Sequence, residues 1–329
     1  MINIAVVGAT GMVGRTFLKV LEEKQLPLGD IYLYASAKSA GQKLHFYGED
    51  REVLELKEEN IVGKNIDYAL FSAGGTTSLN FAPIFQREGI CVIDNSSAWR
   101  MDENVPLVVP QINKKAAFAH HNLIANPNCS TIQSVLPLAA IKDYGIKSVI
   151  YATYQAVSGS GVKGVRDLEI TAKGEKPENY PHPIWGNCLP HIDSFLDNGY
   201  TKEEMKMVNE TRKILEMPNL PVTATCVRVP VENGHSVEIH VELEKPFEVE
   251  DIKERMRNYE GIVLADDPQN NVYPLAATAT GTDEVYVGRI RRDVSNPQAL
   301  HIWCVADNIR KGAASNAIEI MELLMKGEQ

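Results

Sequence analysis

The sequence predicts an α/β chain of two domains: a doubly wound parallel sheet, then an α+β domain whose sheet is mainly antiparallel. Three observations predict it. Short apolar runs alternate with helix-like stretches in the first part of the chain, and a glycine-spaced turn follows the first run. Beyond Cys129 the runs lengthen, alternate in polarity and follow one another with little helix between several of them. Strands separated by helices pair in parallel through right-handed crossovers, whereas strands in direct succession pair antiparallel. A length of 329 residues leaves room for two domains, each with its own core.

Taken in order, Ile2–Val7, apolar but for Asn3, reads as a buried strand. A glycine turn and a helix to about Glu23 follow. Residues 31–35, 68–71, 91–93, 107–109 and 123–125 continue the strand series, with a helix at 78–88. After Cys129, the positions Ile132, Val135, Leu136, Ala139 and Ala140 fall on one helical face. The runs 149–157, 225–231, 236–244, 284–291 and 299–305 read as strands. Residues 159–190, rich in Gly, Pro and charge, read as a long excursion on the second domain, a candidate subunit contact. The last helix, 311–326, carries Ala314, Ala317, Ile318, Met321 and Leu324 on one stripe and is expected to return to the first domain. The expected domains are therefore 1–128, a cofactor-binding domain completed by 310–329, and 129–309, a catalytic and dimerisation domain.

The cofactor signal is Gly8-Ala9-Thr10-Gly11-Met12-Val13-Gly14, placed between a strand and a helix. Glycines permit the tight turn and close backbone approach, and the helix start offers free N–H groups and a positive dipole to a pyrophosphate. The spacing is Gly-x-x-Gly-x-x-Gly, which departs from the commonest fingerprint of Rossmann-like domains. At the end of the second strand an NAD site usually carries an acidic residue. Here the chain reads Ser36-Ala37-Lys38-Ser39-Ala40, a cation and two hydroxyls that suit a 2′-phosphate. The expectation is NADP, although a polar surface loop would give Lys38 by itself the same appearance.

A second strand-to-helix junction, Asn126-Pro127-Asn128-Cys129-Ser130-Thr131, places a thiol at a helix start. The dipole there favours the thiolate. Lowering a thiol from about 8.5 to about 6.5 makes thiolate the main form at pH 7, a differential stabilisation of about 2.7 kcal/mol. Cys91 and Cys304 lie inside apolar runs and read as structural. A thiolate nucleophile needs a proton-transfer partner. His235 follows Asn233-Gly234, a hairpin signal, and is the candidate. Arg228 stands amid apolar strand residues, which calls for an anion or a partner, unless that strand face is solvated.

Composition narrows the function classes. The formal net charge is −10, so the chain is not expected to bind nucleic acid, and any phosphorylated ligand must be held by particular cations. No apolar run approaches the ~20 residues that span a bilayer, and no signal peptide is read, so a cytoplasmic location is expected without membrane association. The five cysteines are odd in number and widely spaced, with no C-x-x-C, as expected of reduced thiols. Neither His120-His121 nor His182 and His191 reads as more than surface or loop histidine, and no metal is expected.

The segments "GATGMVG", "ASAKSAG", "DNSSAWRM", "NPNCSTIQ", "YQAVSGSG", "NETRKIL" and "CVRVPV…GHS" occur in order with compatible spacing from about residue 4 to 325. Together they resemble the aspartate-semialdehyde dehydrogenase family in its bacterial form. The resemblance implies NADPH-dependent reduction of aspartyl 4-phosphate to aspartate 4-semialdehyde with release of phosphate, a branch-point step towards lysine, methionine, threonine and isoleucine. It implies that Cys129 forms an acyl-thioester, that His235 is the acid/base and that Gln155 positions substrate. It implies Arg228 at the α-carboxylate, Glu203 at the α-amino group, and Arg100, Asn128 and Lys206 around the phosphate. Ser158, Gly159 and Asn308 are implied to approach the cofactor. Family members are dimers or tetramers, and the second domain's sheet is expected to make the dimer contact. Rival readings are N-acetyl-γ-glutamyl-phosphate reductase and glyceraldehyde-3-phosphate dehydrogenase, which share the mechanism, and an NADP-binding sensor without chemistry. The sensor would need the glycine turn but not Cys129, Gln155, Arg228 and His235.

Overall fold

The computed structural model describes residues 1–327; Glu328 and Gln329, the end of the expected 310–329 segment, lie outside the described residues. The chain forms two compact units, Met1–Pro127 with Ala313–Gln329, and Asn128–Gly312.

The first unit contains β1 (Ile2–Val7), α1 (Met12–Lys24), β2 (Leu28–Ala35), β3 (Lys43–Phe46), β4 (Glu49–Glu55), β5 (Tyr68–Phe71), α2 (Gly75–Arg87), β6 (Cys91–Asp94), α3 (Pro110–Asn113) and β7 (Leu123–Ala125). Its seven strands run in the order β3-β4-β2-β1-β5-β6-β7, parallel except for the β3–β4 pair at one edge. The chain turns from β1 to one side through β2 and to the other through β5, so a topological switch point lies beyond the carboxyl end of β1. Val6, Phe17, Leu21, Leu33, Leu70, Ile93 and Ile124 form the core, and Ile318 and Met321 of the C-terminal helix (Ser315–Lys326) complete it. Each fully buried side chain of this kind contributes roughly 1.5–3 kcal/mol.

Three expectations for this unit need correction. Strands β3 and β4 were not anticipated: only Leu44 and Phe46 of β3 are buried, which leaves a period-two signal of two residues in a charged stretch. Residues 107–109 form no named strand; Leu107 makes a single bridge to Ala125. Pro106 and Pro110 flank the segment and supply no N–H for a longer ladder. The last helix starts at Ser315, preceded by a π-helical turn at Arg310–Ala314.

The second unit contains α4 (Cys129–Ala140), β8 (Ile146–Gln155), α5 (Val162–Ala172), α6 (Lys202–Ile214), β9 (Val222–Arg228), β10 (His235–Leu243), α7 (Val249–Asn258), β11 (Ile262–Leu264), α8 (Ala276–Ala279), β12 (Val285–Arg292) and β13 (Ala299–Ala306). The sheet order is β11-β12-β13-β10-β8-β9. The three central pairings are antiparallel, and the outer pairs β8–β9 and β11–β12 are parallel. Along β10, His235, Val237, Ile239, Val241 and Leu243 are buried, while Ser236, Glu238, His240 and Glu242 are half-buried on the other face. The 159–190 excursion contains a helix that the sequence reading missed. Gly161 and Gly174, both at positive φ, bracket α5. The Asp167 carboxylate accepts the backbone N–H groups of Glu178, Asn179 and Tyr180 and ties down the loop beyond.

Candidate active site

The glycine turn is built by close packing. Gly8 has φ of 86°, and a Cβ there would lie 2.3 Å from the Ser72 carbonyl oxygen. A Cβ on Gly14 would lie 2.2 Å from the Gly8 carbonyl oxygen, so the first turn of α1 sits directly on the loop. The N–H groups of Gly8 and Ala9 both donate to the Tyr34 carbonyl, at 2.8 and 3.1 Å, which sets the turn against the end of β2. That end continues into the Ser36–Ala40 loop, where Ser36, Lys38 and Ala40 are exposed and Ser39 is half-buried. Gly11 caps α1 without a side-chain acceptor, and the first turn of Met12, Val13 and Gly14 carries no acidic group. These features fit a phosphorylated dinucleotide: helix-start amides with no carboxylate beside them, and a cation with hydroxyls where a 2′-phosphate would lie. Thr10 is half-buried on the same turn. Also in this unit, Arg100 is buried and donates from Nε to the Asn126 carbonyl at 2.9 Å and from Nη2 to the Asn95 carbonyl at 2.8 Å.

The start of α4 is held by side chains instead. Asn128 is its N-cap, and its Oδ1 accepts from the N–H groups of Ser130 and Thr131 at 2.9 and 3.2 Å. The Asn128 Nδ2 donates to Glu203 Oε1 at 2.9 Å, and its backbone N–H donates to Glu210 Oε2 at 2.6 Å. Cys129 therefore occupies the first helical position behind a turn fixed on three sides. On another side lies Gly312, where a Cβ would come within 2.7 Å of Cys129 Cβ.

Glu203 is the centre of a buried polar network. Burial opposes its charge, but the Lys206 ammonium, the Asn128 amide and the Arg228 guanidinium outweigh that and hold its carboxyl below the usual range. Gln155 Nε2, at the end of β8, reaches Glu203 Oε1 at 3.3 Å. Lys206 Nζ bridges Glu203 at 3.0 Å and Asp193 at 2.9 Å. Burial works against the Lys206 ammonium, yet these two carboxylates raise its pKa.

His235, the first residue of β10, is fully buried. Its Nδ1 accepts the Ala156 N–H at 3.0 Å, so the neutral ring carries its proton on Nε2. That Nε2 has no hydrogen-bond partner among the described residues. Burial and then the nearby Arg228 charge hold the imidazole well below its ordinary pKa, so it is neutral at pH 7. Arg228 Nη1 donates to the Ala156 carbonyl at 2.7 Å, so the backbone of one residue holds both side chains. Gly159 faces them: a Cβ there would meet Arg228 Nη1 at 2.8 Å and His235 Nε2 at 3.3 Å. Asn308 accepts the Gly234 N–H at 2.9 Å and donates to Ser158 Oγ at 2.9 Å, which fixes the turn that delivers His235. Asn233-Gly234 does not close the hairpin its sequence suggests, because β8 lies between β9 and β10.

Of the residues singled out in the sequence, Asn128, Gln155, Glu203 and Lys206 thus share one hydrogen-bonded network, while Gly159, Arg228 and His235 are in contact. Ser158 and Asn308 support the turn ahead of His235. Sequence reasoning missed two residues that position them. Gln133, one helical turn beyond Cys129, donates to the His235 carbonyl at 3.0 Å. Glu210, which holds the Asn128 amide, shares the inward face of α6 with Glu203 seven residues earlier. Cys91 and Cys304 are buried, which pushes each thiol up to about 12, as befits structural positions. His120 accepts the Asn122 N–H, and His191 stacks on Phe195.

Comparisons with known proteins agree along the whole chain. A family model described as the NAD binding domain of semialdehyde dehydrogenase matches residues 3–120. Another, described as the dimerisation domain of semialdehyde dehydrogenase, matches residues 136–311. The aspartate-semialdehyde dehydrogenase of Aquifex aeolicus is 53% identical over 334 residues, covering 98% of each chain. A crystal structure of aspartate semialdehyde dehydrogenase II from Vibrio cholerae complexed with ASA is 42% identical with a TM-score of 0.95, covering 100% of this chain and 99% of that one. The enzyme of Candida albicans with NADP is 25% identical with a TM-score of 0.77, covering 99% of this chain and 98% of that one.

Proposed function

The chain belongs to the aspartate-semialdehyde dehydrogenase family, and from that premise we propose that it reduces L-aspartyl 4-phosphate to L-aspartate 4-semialdehyde through a thioester on Cys129. NADPH supplies the hydride. Gly8, Thr10, Gly11, Met12, Val13 and Gly14 would hold the pyrophosphate end, Ser36, Lys38, Ser39 and Ala40 the 2′-phosphate, and Ser158, Gly159 and Asn308 belong to the same reading. The alternative substrates and the sensor have no comparable support, since relatives of this name align over nearly the full chain.

The observation that carries the reading is the pinned start of α4, which presents the Cys129 thiol where the helix dipole favours its thiolate. The Cys129 sulfur attacks the acyl carbon, the acyl–oxygen bond breaks, and phosphate leaves. The resulting thioester takes hydride at carbon to give a thiohemiacetal oxyanion. Collapse of that oxyanion breaks the C–S bond, releases the aldehyde and restores the thiolate. Cys129 thus needs no net proton over the cycle; the released phosphate takes one from water. His235, with its proton on Nε2, hydrogen-bonds each oxyanion as it forms. To act as a base in reverse, the ring must first give up its bond from the Ala156 N–H.

Arg228 suits the α-carboxylate with a forked donor, and its Nε has no partner among the described residues. Glu203, held ionised, suits the α-ammonium. Arg100, Asn128 and Lys206 are the phosphate ligands in this reading, and Gln155 orients the substrate from the end of β8. The reading includes a homodimer formed through the Asn128–Gly312 unit and a cytoplasmic location. Among the described residues no helix is long and apolar enough to cross a membrane.

The test is the initial rate of NADP⁺ reduction with aspartate semialdehyde, with and without inorganic phosphate. Sustained turnover only with phosphate supports acyl-phosphate chemistry on this substrate. No reduction in either case, with NADP⁺ still bound, overturns it.

A further inference from the structure

The half-buried face of the second unit's sheet carries a cluster that the proposed reaction does not use. His240 lies in the middle of β10, on the opposite face from His235 and Val237. Its register partner on β13 is His301, and the two ring centroids are 4.8 Å apart. Asp293 follows β12, the next strand across, and brings Oδ2 to 2.8 Å from His240 Nε2 and 3.6 Å from His301 Nε2. One ligand atom from each residue lies within 4.8 Å of the others.

The hydrogen bonds around the cluster decide what it presents. Glu238 Oε1 lies 2.6 Å from His301 Nδ1, so the neutral ring keeps its proton on Nδ1. The His301 Nε2 lone pair then faces an Asp293 carboxylate oxygen. A shared cation can bridge these two acceptors. The Asp293 carboxylate is itself oriented, because Oδ1 accepts from the Ser295 N–H at 2.7 Å and from its hydroxyl at 2.8 Å. These Ser295 bonds, with His240 beside it, hold Asp293 below the usual carboxylate range. His240 Nε2 donates to Asp293 Oδ2, while its Nδ1 is buried with no partner among the described residues, so an ion bound at Nε2 moves that proton to Nδ1.

We propose that His240, Asp293 and His301 form a binding site for a divalent transition metal of the zinc class, separate from the Cys129 site. Two imidazole nitrogens and one carboxylate oxygen suit zinc, cobalt or nickel rather than the all-oxygen ligand sets of magnesium and calcium. Separations of 2.8 and 3.6 Å straddle what neighbouring ligands of one ion at about 2.0–2.1 Å require, and all three ligand atoms lie within 4.8 Å of one another, so ligation draws the side chains together. Glu238 then holds the outer nitrogen of a ligating histidine, the usual arrangement around bound zinc. Three protein ligands leave a fourth position for water or, since the proposed homodimer forms through this unit, for a group from the second copy of the chain. Both imidazoles must bind as neutral rings.

The test uses the full-length protein carrying Cys129→Ser and Cys188→Ser, which removes the two thiols that are not buried, stripped with a chelator and titrated with Co²⁺ and then Zn²⁺. Visible absorption reports the Co²⁺ geometry, and equilibrium dialysis reports the stoichiometry. The proposal expects one ion per chain, displaced by Zn²⁺. His301→Ala and Asp293→Asn should weaken binding about 100-fold or more, and Glu238→Gln by about 10-fold. Asp293→Asn is near-isosteric, and an unchanged thermal melt in chelator separates lost ligation from lost fold. Absence of stoichiometric binding by the stripped protein overturns the proposal. So does binding that survives both His301→Ala and Asp293→Asn.

Discussion

Two strand-to-helix junctions, Val7 to Met12 and Ala125 to Cys129, solve the same local problem in opposite ways. At the first, glycines remove side chains so that backbone packs on backbone, and α1 begins without a side-chain cap. At the second, Asn128 supplies the cap, and buried carboxylates of α6 take its amide groups. In the proposed reading, the cofactor completes the first helix start. The second is completed from within, so that the residue it carries is fixed before substrate arrives. A cofactor that must enter and leave suits the open junction, and a nucleophile that must be aimed suits the closed one.

Substitutions at the closed junction should therefore act on turnover, and those around the open junction on cofactor affinity. The largest expected effect is Cys129→Ala, which should lower kcat by about 10⁴-fold or more while leaving the Kd for NADPH unchanged. Stopped-flow and fluorescence titration would check the two halves. Next is Glu210→Gln, which weakens the hold on the Asn128 amide without changing shape. It should lower kcat about 10- to 100-fold with little change in KM for NADPH. An equal loss in both parameters would mean that the two junctions are not separable in this way. Lys38→Ala should do the converse, raising KM for NADPH about 10-fold at nearly constant kcat and narrowing the preference over NADH.

The smallest effect is one of pH. The pKa of His235 is lower in the folded chain than in the unfolded one, so between those values the unfolded chain binds more protons. Its contribution makes stability fall as pH drops through about 6.5, and none of this loss appears above that value. His235→Gln should lose less stability between pH 8 and pH 5 than the parent chain, as urea midpoints would show. The kcat profile should likewise lack a rising limb near 6.5 from this ring.

What was legible in the sequence follows the range of the interactions concerned. The bounds of β1, β5 and β7 coincide with runs that are apolar but for Asn3, because both faces of these parallel strands are largely buried. The start of α4 at Cys129 was readable because its cap is local. Glu210 was not: among the charges of "NETRKIL" it looks solvated, yet it is 1% exposed, and its partner amide lies 82 residues away. The mixed direction of the second sheet escaped for a related reason. Helix α6 carries the chain from β8 to a parallel β9, but its polar surface hides its helical stripe beside the Pro- and Gly-rich loop before it. His240 and His301 lie in separate strands, and only the register between β10 and β13 brings them side by side.

The central claim is covalent chemistry at the closed junction, and the most direct measurement is intact-protein mass after mixing with NADP⁺ and aspartate semialdehyde in the absence of phosphate. The expected result is about one equivalent of NADPH formed in a burst, with one aspartyl acyl group on the peptide containing Cys129 that added phosphate discharges. Steady NADPH formation with no adduct, or an adduct on any other residue, would contradict it.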